Sequence, residues 1–354
     1  MTEAAAPVPE PVPAPTSRMH AEALQAPEAA ARLLDSERAA LAALGADLRR
    51  TPPTSMLTVA RGSSDHAAHF MGYLMMARLG RVVASLPMSV VTLYQTSLVC
   101  NGLAAFGFSQ SGQSPDLVAP MQQLSAQGAR TVAFVNDADS PLARAVRHVV
   151  PLHAGAETSV AATKSYIAQL VAGAALVSAW QQDADFAAAL QALPEVLQRA
   201  ARLSWDAALA PLQSAQHLYV IGRGTGLPVA MELALKFKEV SGIQAEAFSG
   251  AEVQHGPMAL VEPGFTMLVL APPGPAQAGL LTLAADMRAR GAQVLLAAPD
   301  GVPGAQLPLQ ATGSVDLDPI AAVQTFYPMV EALARARGLD PDQPRHLHKV
   351  TRTR

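Results

Sequence analysis

Cysteine is almost absent from this chain. Cys100 is the only one in 354 residues, which excludes an internal disulfide framework and any metal centre built from several cysteines of one chain. Charge is sparse as well: charged residues are 15 % of the total and the formal net charge is −3, so no bulk field draws the chain to nucleic acid or to a membrane surface. No apolar run is long enough to span a bilayer. The longest, Ile167 to Trp180, is interrupted by Gln169 and Ser178 and reads as a buried helix. With no secretory signal, the cytoplasm is the expected compartment. What the chain does have is apolar material, half of all residues, enough for two α/β domains or one large one.

Residues 1–16 alternate proline with small residues (Pro7, Pro9, Pro11, Pro13, Pro15) and have little to bury, so a disordered extension is expected. Met19 to Arg50 is helical in pattern, with leucines at 33, 34, 41, 44 and 48. Strand-like and helix-like segments then alternate: strands at 55–60, 82–86, 103–108 and 130–136, helices at 65–79, 115–127 and 162–181. Residues 182–203 are helical, and a second unit follows with strands at 217–221, 244–248, 265–271 and 293–297 and helices at 228–240 and 277–290. This punctuation predicts an α/β protein with parallel sheets flanked by helices. The units also repeat. Arg61-Gly62-Ser63-Ser64 lies over Arg223-Gly224-Thr225-Gly226 at an offset of 162, and the strand at 103 over the strand at 265.

One stretch organises the first copy. Ser109-Gln110-Ser111-Gly112-Gln113-Ser114 follows an apolar strand and precedes a helix start at Pro115. Three hydroxyls, an amide and the unpaired N–H groups of a helix start can hold an anion; the bland alternative is an ordinary capped helix. The loop contains no lysine or arginine, so binding would rest on neutral donors and the helix dipole. At the corresponding place the second copy has Ala271-Pro272-Pro273-Gly274, without hydroxyls and with prolines that lack even the backbone N–H. One anion site per chain, in the first copy, is the expectation.

The second copy carries ionisable groups instead. Glu232, Lys236 and Glu239 share one helix face, bounded on both sides by Met231, Leu235, Leu233, Phe237 and Val240; such a strip suits a cleft better than a solvated surface. His255 stands at a Gly-Pro turn beside Glu252 and is an acid/base candidate. Ser63 and Ser64, in a strand–helix turn, are candidate sugar or phosphate donors. The Gly222-Arg-Gly-Thr-Gly226 turn lacks the third glycine and the acidic partner of a dinucleotide fingerprint. The loop from Gly155 to Lys164 either lines a pocket or caps the long helix. In the tail, Lys349 is either solvated or available for amine chemistry, while His346 and His348 lack further ligands nearby, so no metal site is read.

Taken together, Ser109-Gln-Ser-Gly112, Ala154-Gly-Ala-Glu157 with Thr163-Lys164, Ala234-Leu-Lys-Phe-Lys-Glu239, Glu252 to Pro257 and Asp342-Gln-Pro-Arg345 with Lys349 resemble the sugar isomerase (SIS) superfamily. Within it the resemblance is to the isomerase half of glutamine–fructose-6-phosphate aminotransferases and to isomerase-like glucosamine-6-phosphate deaminases. It implies two tandem SIS domains, at 19–190 and 191–337, after a proline-rich extension (1–18) and before a tail (338–354) that closes the site. It further implies that Ser109, Gln110, Ser111 and Ser114 hold a sugar 6-phosphate, with Ser64, Val160 and Ala162 beside the sugar. Glu239 would shuttle a proton between C1 and C2, and Lys236 would assist. His255, reaching in from the neighbouring subunit of a homodimer, would open the ring, and Lys349 would lie near the carbonyl carbon. No cofactor, metal, nucleic acid or membrane is implied. Two departures stand out: Ala162 where serine is frequent, and Gln113 where glutamate usually follows the loop. The N-terminus carries no cysteine nucleophile for glutamine hydrolysis, so the expected reaction is conversion of glucosamine 6-phosphate to fructose 6-phosphate and ammonia. The alternatives are another amino-sugar phosphate as substrate (fructosamine or galactosamine 6-phosphate) and a sugar-phosphate sensor without catalysis.

Overall fold

The computed structural model describes residues 16–349; nearly all of the proline-rich lead and the last five residues lie outside it. Three helices open the chain, α1 (Arg18–Leu24), α2 (Ala26–Ser36) and α3 (Arg38–Arg50). The single helical stretch expected from Met19 to Arg50 is thus broken twice, at Gln25, just ahead of Pro27, and at Glu37. Pro27 lacks an N–H, which suits it to the first turn of α2.

The first unit comprises β1 (Ser55–Val59), α4 (Gly62–Leu79), β2 (Ala84–Ser85), α5 (Ser89–Thr92), β3 (Leu103–Ser109), α6 (Pro115–Ala126), β4 (Arg130–Val135), α7 (Pro141–Ala145), β5 (His148–Pro151) and α8 (Lys164–Gln181). After α9 (Ala184–Ala200) and α10 (Leu209–Gln213), the second unit runs through β6 (His217–Gly222), α11 (Gly226–Ser241), β7 (Gln244–Ser249), β8 (Thr266–Leu270), α12 (Gln277–Ala289), β9 (Gln293–Ala298), β10 (Leu307–Pro308) and α13 (Asp318–Ala336). Both sheets are parallel and five-stranded, ordered β2-β1-β3-β4-β5 and β7-β6-β8-β9-β10. The order is the same in each. The repeat seen in the sequence is therefore a repeat of topology, the doubly wound arrangement whose strand order reverses beside its first strand.

Alternation along β3 shows how the layers divide. Ala104, Phe106 and Phe108 point into a core shared by both units, while Leu103 and Ala105 face a separate cluster under Leu117, Met121 and Leu124 of α6. The second sheet does likewise, with α12 covering its outer face. Between the sheets lie α4, α8, α11 and α13; α4 packs on both α8 and α11, and α11 on α13. Helix α8 is buried along nearly its whole length, as its all-round apolar sequence requires. Among the described residues no helix is long and apolar enough to cross a membrane. Arg78, at the end of α4, ties the units together: it reaches Asp316 at 2.6 Å and Asp183 at 3.2 Å, and lies over the Phe186 ring.

Candidate active site

In a doubly wound sheet, ligands settle outside the carboxyl ends of the strands at the point where the order reverses. For the first unit that point lies between β1 and β3. The turn after β1 is Arg61–Ser64 and the loop after β3 is Gln110–Ser114, and both line one cleft of about 370 Å³. That size falls within the range of roughly 300–1,000 Å³ usual for small-molecule sites. Ser109, at the end of β3, accepts the N–H of Gly112 at 2.9 Å and so folds the loop back on itself. Gly112 has φ +63°, and a Cβ there would collide with Ser140; only glycine fits.

The remaining walls come from far along the chain. Val160 and Ala162 arrive on the loop before α8, Lys236 and Glu239 on α11, and Leu347, His348 and Lys349 on the tail. Ten of the eleven residues to which the family resemblance gives a role therefore border a single cleft: Ser64, Ser109, Gln110, Ser111, Ser114, Val160, Ala162, Lys236, Glu239 and Lys349. His255 does not. It sits exposed on the turn after Glu252–Gln254 and does not line the cleft of its own chain.

The charged strip of α11 is tucked in, as its apolar flanks suggest. Lys236 is fully buried and donates to Glu239 and to Ser63 Oγ (3.0 Å), with Glu232 Oε1 at 3.2 Å. Burial works against its charge, but Glu232 and Glu239 outweigh burial and hold the ammonium above the ordinary lysine range. Glu232 also accepts from Tyr327 (3.3 Å) and pairs with His66 Nδ1 (3.0 Å). Burial pushes its carboxyl up; Lys236, His66 and Ser63 more than reverse this, and it lies below the usual range. Lys236 and Glu239 both border the cleft, and Glu239 is the more open of the two, with its side chain 21 % exposed.

A second buried carboxylate was legible in the sequence only as part of a motif. Glu157 accepts from Ser165 Oγ and from the backbone N–H groups of Thr163 and Ser165, the open end of α8. Lys349 completes the set at 3.0 Å. Burial raises the Glu157 carboxyl, but Lys349, Ser165 and the two backbone donors lower it further than burial lifts it. Lys349 is thus held on a buried carboxylate, with 23 % of its side chain exposed. The tail that carries it is anchored again upstream, where Asp342 accepts from the backbone of Arg18 and Met19. Glu22 of α1 in turn holds the backbone N–H groups of Thr158 and Ser159. Helix α1, the 154–163 loop and the tail are thereby pinned to one another by three carboxylates.

The loop after β3 has no cation of its own, but Arg61 lines the cleft beside it, together with Lys236 and Lys349. Sequence distance hid Arg61, which lies 48 residues before Ser109 and meets the loop only because β1 and β3 are neighbours.

Fold and cleft define the class: a tandem-repeat α/β protein with a candidate small-molecule cleft at the switch point of its first copy, walled by the second. The chain belongs to the SIS domain family, which matches it over residues 51–179 and 211–300. It is similar to the glutamine–fructose-6-phosphate aminotransferase (isomerizing) of Aeropyrum pernix, 34 % identical over 315 residues that cover 83 % of this chain and 50 % of that one. The chain spans about half the length of the curated relatives it matches. Among solved structures, a Silicibacter pomeroyi protein provisionally assigned as a phosphosugar isomerase is 42 % identical, with TM-score 0.87 over 92 % of this chain and all of that one. The glucosamine-6-phosphate deaminase of Thermotoga maritima shares the fold, with TM-score 0.75 at 22 % identity over 95 % of this chain and 100 % of that one.

Proposed function

We propose that this chain binds a hexosamine 6-phosphate and acts as a glucosamine-6-phosphate deaminase. The observation that carries the reading is the meeting, in one cleft, of the hydroxyl loop Ser109–Ser114 with the Glu239–Lys236 pair. An anion loop alone would serve a sensor; a carboxylate facing the same ligand is what a proton transfer needs. The similarities to an isomerizing aminotransferase and to a provisionally assigned phosphosugar isomerase agree with it.

In this reading the loop holds the 6-phosphate and Ser64, Val160 and Ala162 border the sugar. In the open-chain aldose, Glu239 takes the proton from C2 as the C1 carbonyl becomes a hydroxyl, giving an enolamine. Returning that proton to C1 leaves an iminium at C2. Water adds there, the C–N bond breaks, and the products are fructose 6-phosphate and ammonia; one water is consumed and nothing is oxidised. Lys236 orients Glu239, and its ammonium offsets the charge that develops on the sugar oxygen. Lys349, held by Glu157, acts as a fixed cation at the tail side of the cleft. His255, exposed on its own subunit, acts in the cleft of a partner in a homodimer, where it opens the ring.

The test is ammonia release from glucosamine 6-phosphate by the purified protein, coupled to formation of fructose 6-phosphate. Turnover that Glu239→Gln abolishes is the expected result. Absence of turnover, or undiminished activity in the variant, would overturn the mechanism.

A further inference from the structure

A phosphate monoester carries about −1.5 to −2 charges at neutral pH, yet Ser109, Gln110, Ser111 and Ser114 are all neutral. The two lysines of the cleft are committed elsewhere, Lys236 to Glu232 and Glu239 and Lys349 to Glu157. Arg61 is placed differently. It ends the link from β1 to α4, lines the cleft with the loop residues, and keeps its side chain 60 % exposed. Its Nε donates to Asp116 Oδ2 at 3.3 Å. Asp116 lies in the first turn of α6, two residues beyond Ser114, and is only 4 % exposed.

A buried carboxylate at the mouth of an anion site would repel the ligand if it stood alone. Paired with Arg61 it is neutralised, and it fixes a guanidinium beside the loop. The pairing engages one of five N–H donors, and a planar fork retains enough of them to take phosphate oxygens.

We propose that Arg61 is the cation of the phosphate subsite: held by Asp116, it binds the phosphate oxygens and makes the cleft select sugar phosphates, as dianions, over unphosphorylated sugars. This rests on the reading of Ser109–Ser114 as the phosphate loop, but not on the deaminase reaction. Asp116 is the positioning residue.

Titration calorimetry with fructose 6-phosphate, and separately with inorganic phosphate, tests it on wild-type, Arg61→Gln, Arg61→Lys and the double variant Arg61→Gln/Asp116→Asn. Removing a charge-assisted pair is expected to weaken fructose 6-phosphate about 10- to 30-fold in Arg61→Gln. Arg61→Lys keeps the charge without the fork and should fall between. Wild-type affinity should rise between pH 5.5 and 7.5 as phosphate loses its second proton, whose pKa is about 6, and Arg61→Gln should flatten that rise. Two results overturn the proposal: Arg61→Gln binding within about twofold of wild type, or recovery of wild-type affinity in the double variant. The latter would mean that Arg61 only neutralises Asp116. Wild-type protein that binds neither probe removes the phosphate loop and Arg61 together. Binding without ammonia release removes the deaminase reading alone.

Discussion

The two copies share a strand order but have parted in chemistry. At the first switch point, the turn Arg61–Ser64 and the loop Ser109–Ser114 leave a cleft open between them. At the second, the equivalent loop is Ala271–Gly274, where Gln277 donates to the Ala271 carbonyl at 3.1 Å and Val315 packs close to Gly274. What the second copy gives up at its own switch point it supplies to the first. Its helix α11 packs on α4 and delivers Lys236 and Glu239 into the other copy's cleft. A duplicated fold thus need not mean two sites. One copy can keep the loop while the other presents its helix to the first copy's cleft.

The sharpest way to break this division of labour is to remove the second copy's contribution and leave the first copy's anchor. Glu239→Gln is expected to lower ammonia release by about 10³-fold or more, the scale associated with a positioned general base, while fructose 6-phosphate still binds. Steady-state assays with calorimetry on the same preparation decide this. If binding disappears along with turnover, the two functions are not divided between the copies. The reverse experiment makes the first copy resemble the second, replacing Ser109, Ser111 and Ser114 by alanine. With each hydrogen bond to a charged group worth about 1.5–3 kcal/mol, affinity for the sugar phosphate should fall by about 10²-fold or more. The melting temperature checks that the triple variant is folded.

The contrast between the copies was largely readable from the chain, and physics explains which parts were not. Ser109-Gln-Ser-Gly112 against Ala271-Pro-Pro-Gly274 is a local difference in donors, visible without coordinates. The i, i+4, i+7 spacing of Glu232, Lys236 and Glu239 fixes a common helix face, again local. Partners far apart in sequence were not visible. Lys349 meets Glu157 across 192 positions, and Arg61 meets Asp116 through strand adjacency. Short edge strands also escaped: β5 and β10 have four and two residues, too few for alternation to register. The strand expected at 82–86 shrinks to Ala84–Ser85. Helix α13 carries Pro328 in its interior and is buried on nearly every side, so it has no polar stripe to mark its period.

The copies must also stay in register for α11 to face the cleft, and Arg78 is one of the side chains that span them. Its guanidinium reaches Asp316 of the second unit and Asp183 of α9, and only 17 % of the side chain is exposed. Arg78→Ala leaves both carboxylates without their cation and strips the face of Phe186. The expected loss is about 2 kcal/mol in urea unfolding, between an exposed pair and a fully buried one. A shift under about 0.5 kcal/mol, the scatter of ordinary surface changes, would mean that the shared core alone holds the register.

A smaller and more discriminating effect concerns the two buried carboxylates, one from each copy. Glu157 and Glu232 both lie below the ordinary carboxylate range in the folded chain, because their cations and donors outweigh burial. A group with a lowered folded pKa stabilises the fold fully above its unfolded value, 4.5 for a glutamate here, and that contribution fades as pH falls toward the folded value. Stability should therefore decline below about pH 4.5, with a slope of at most about 1.4 kcal/mol per pH unit for each proton taken up. Glu157→Gln tests the first copy's share. Its glutamine resembles a protonated glutamate, so the stability gap to wild type should be largest near pH 7 and narrow steadily toward pH 3. Lys349, 23 % exposed, is left facing water rather than stranded, which keeps the gap near 1–2 kcal/mol at neutral pH. A gap that stays constant between pH 7 and pH 3 would mean that Glu157 acts through shape and not through charge. In that case the tail is held over the cleft by Asp342 and helix α1, with the Lys349 pair contributing nothing to its closure.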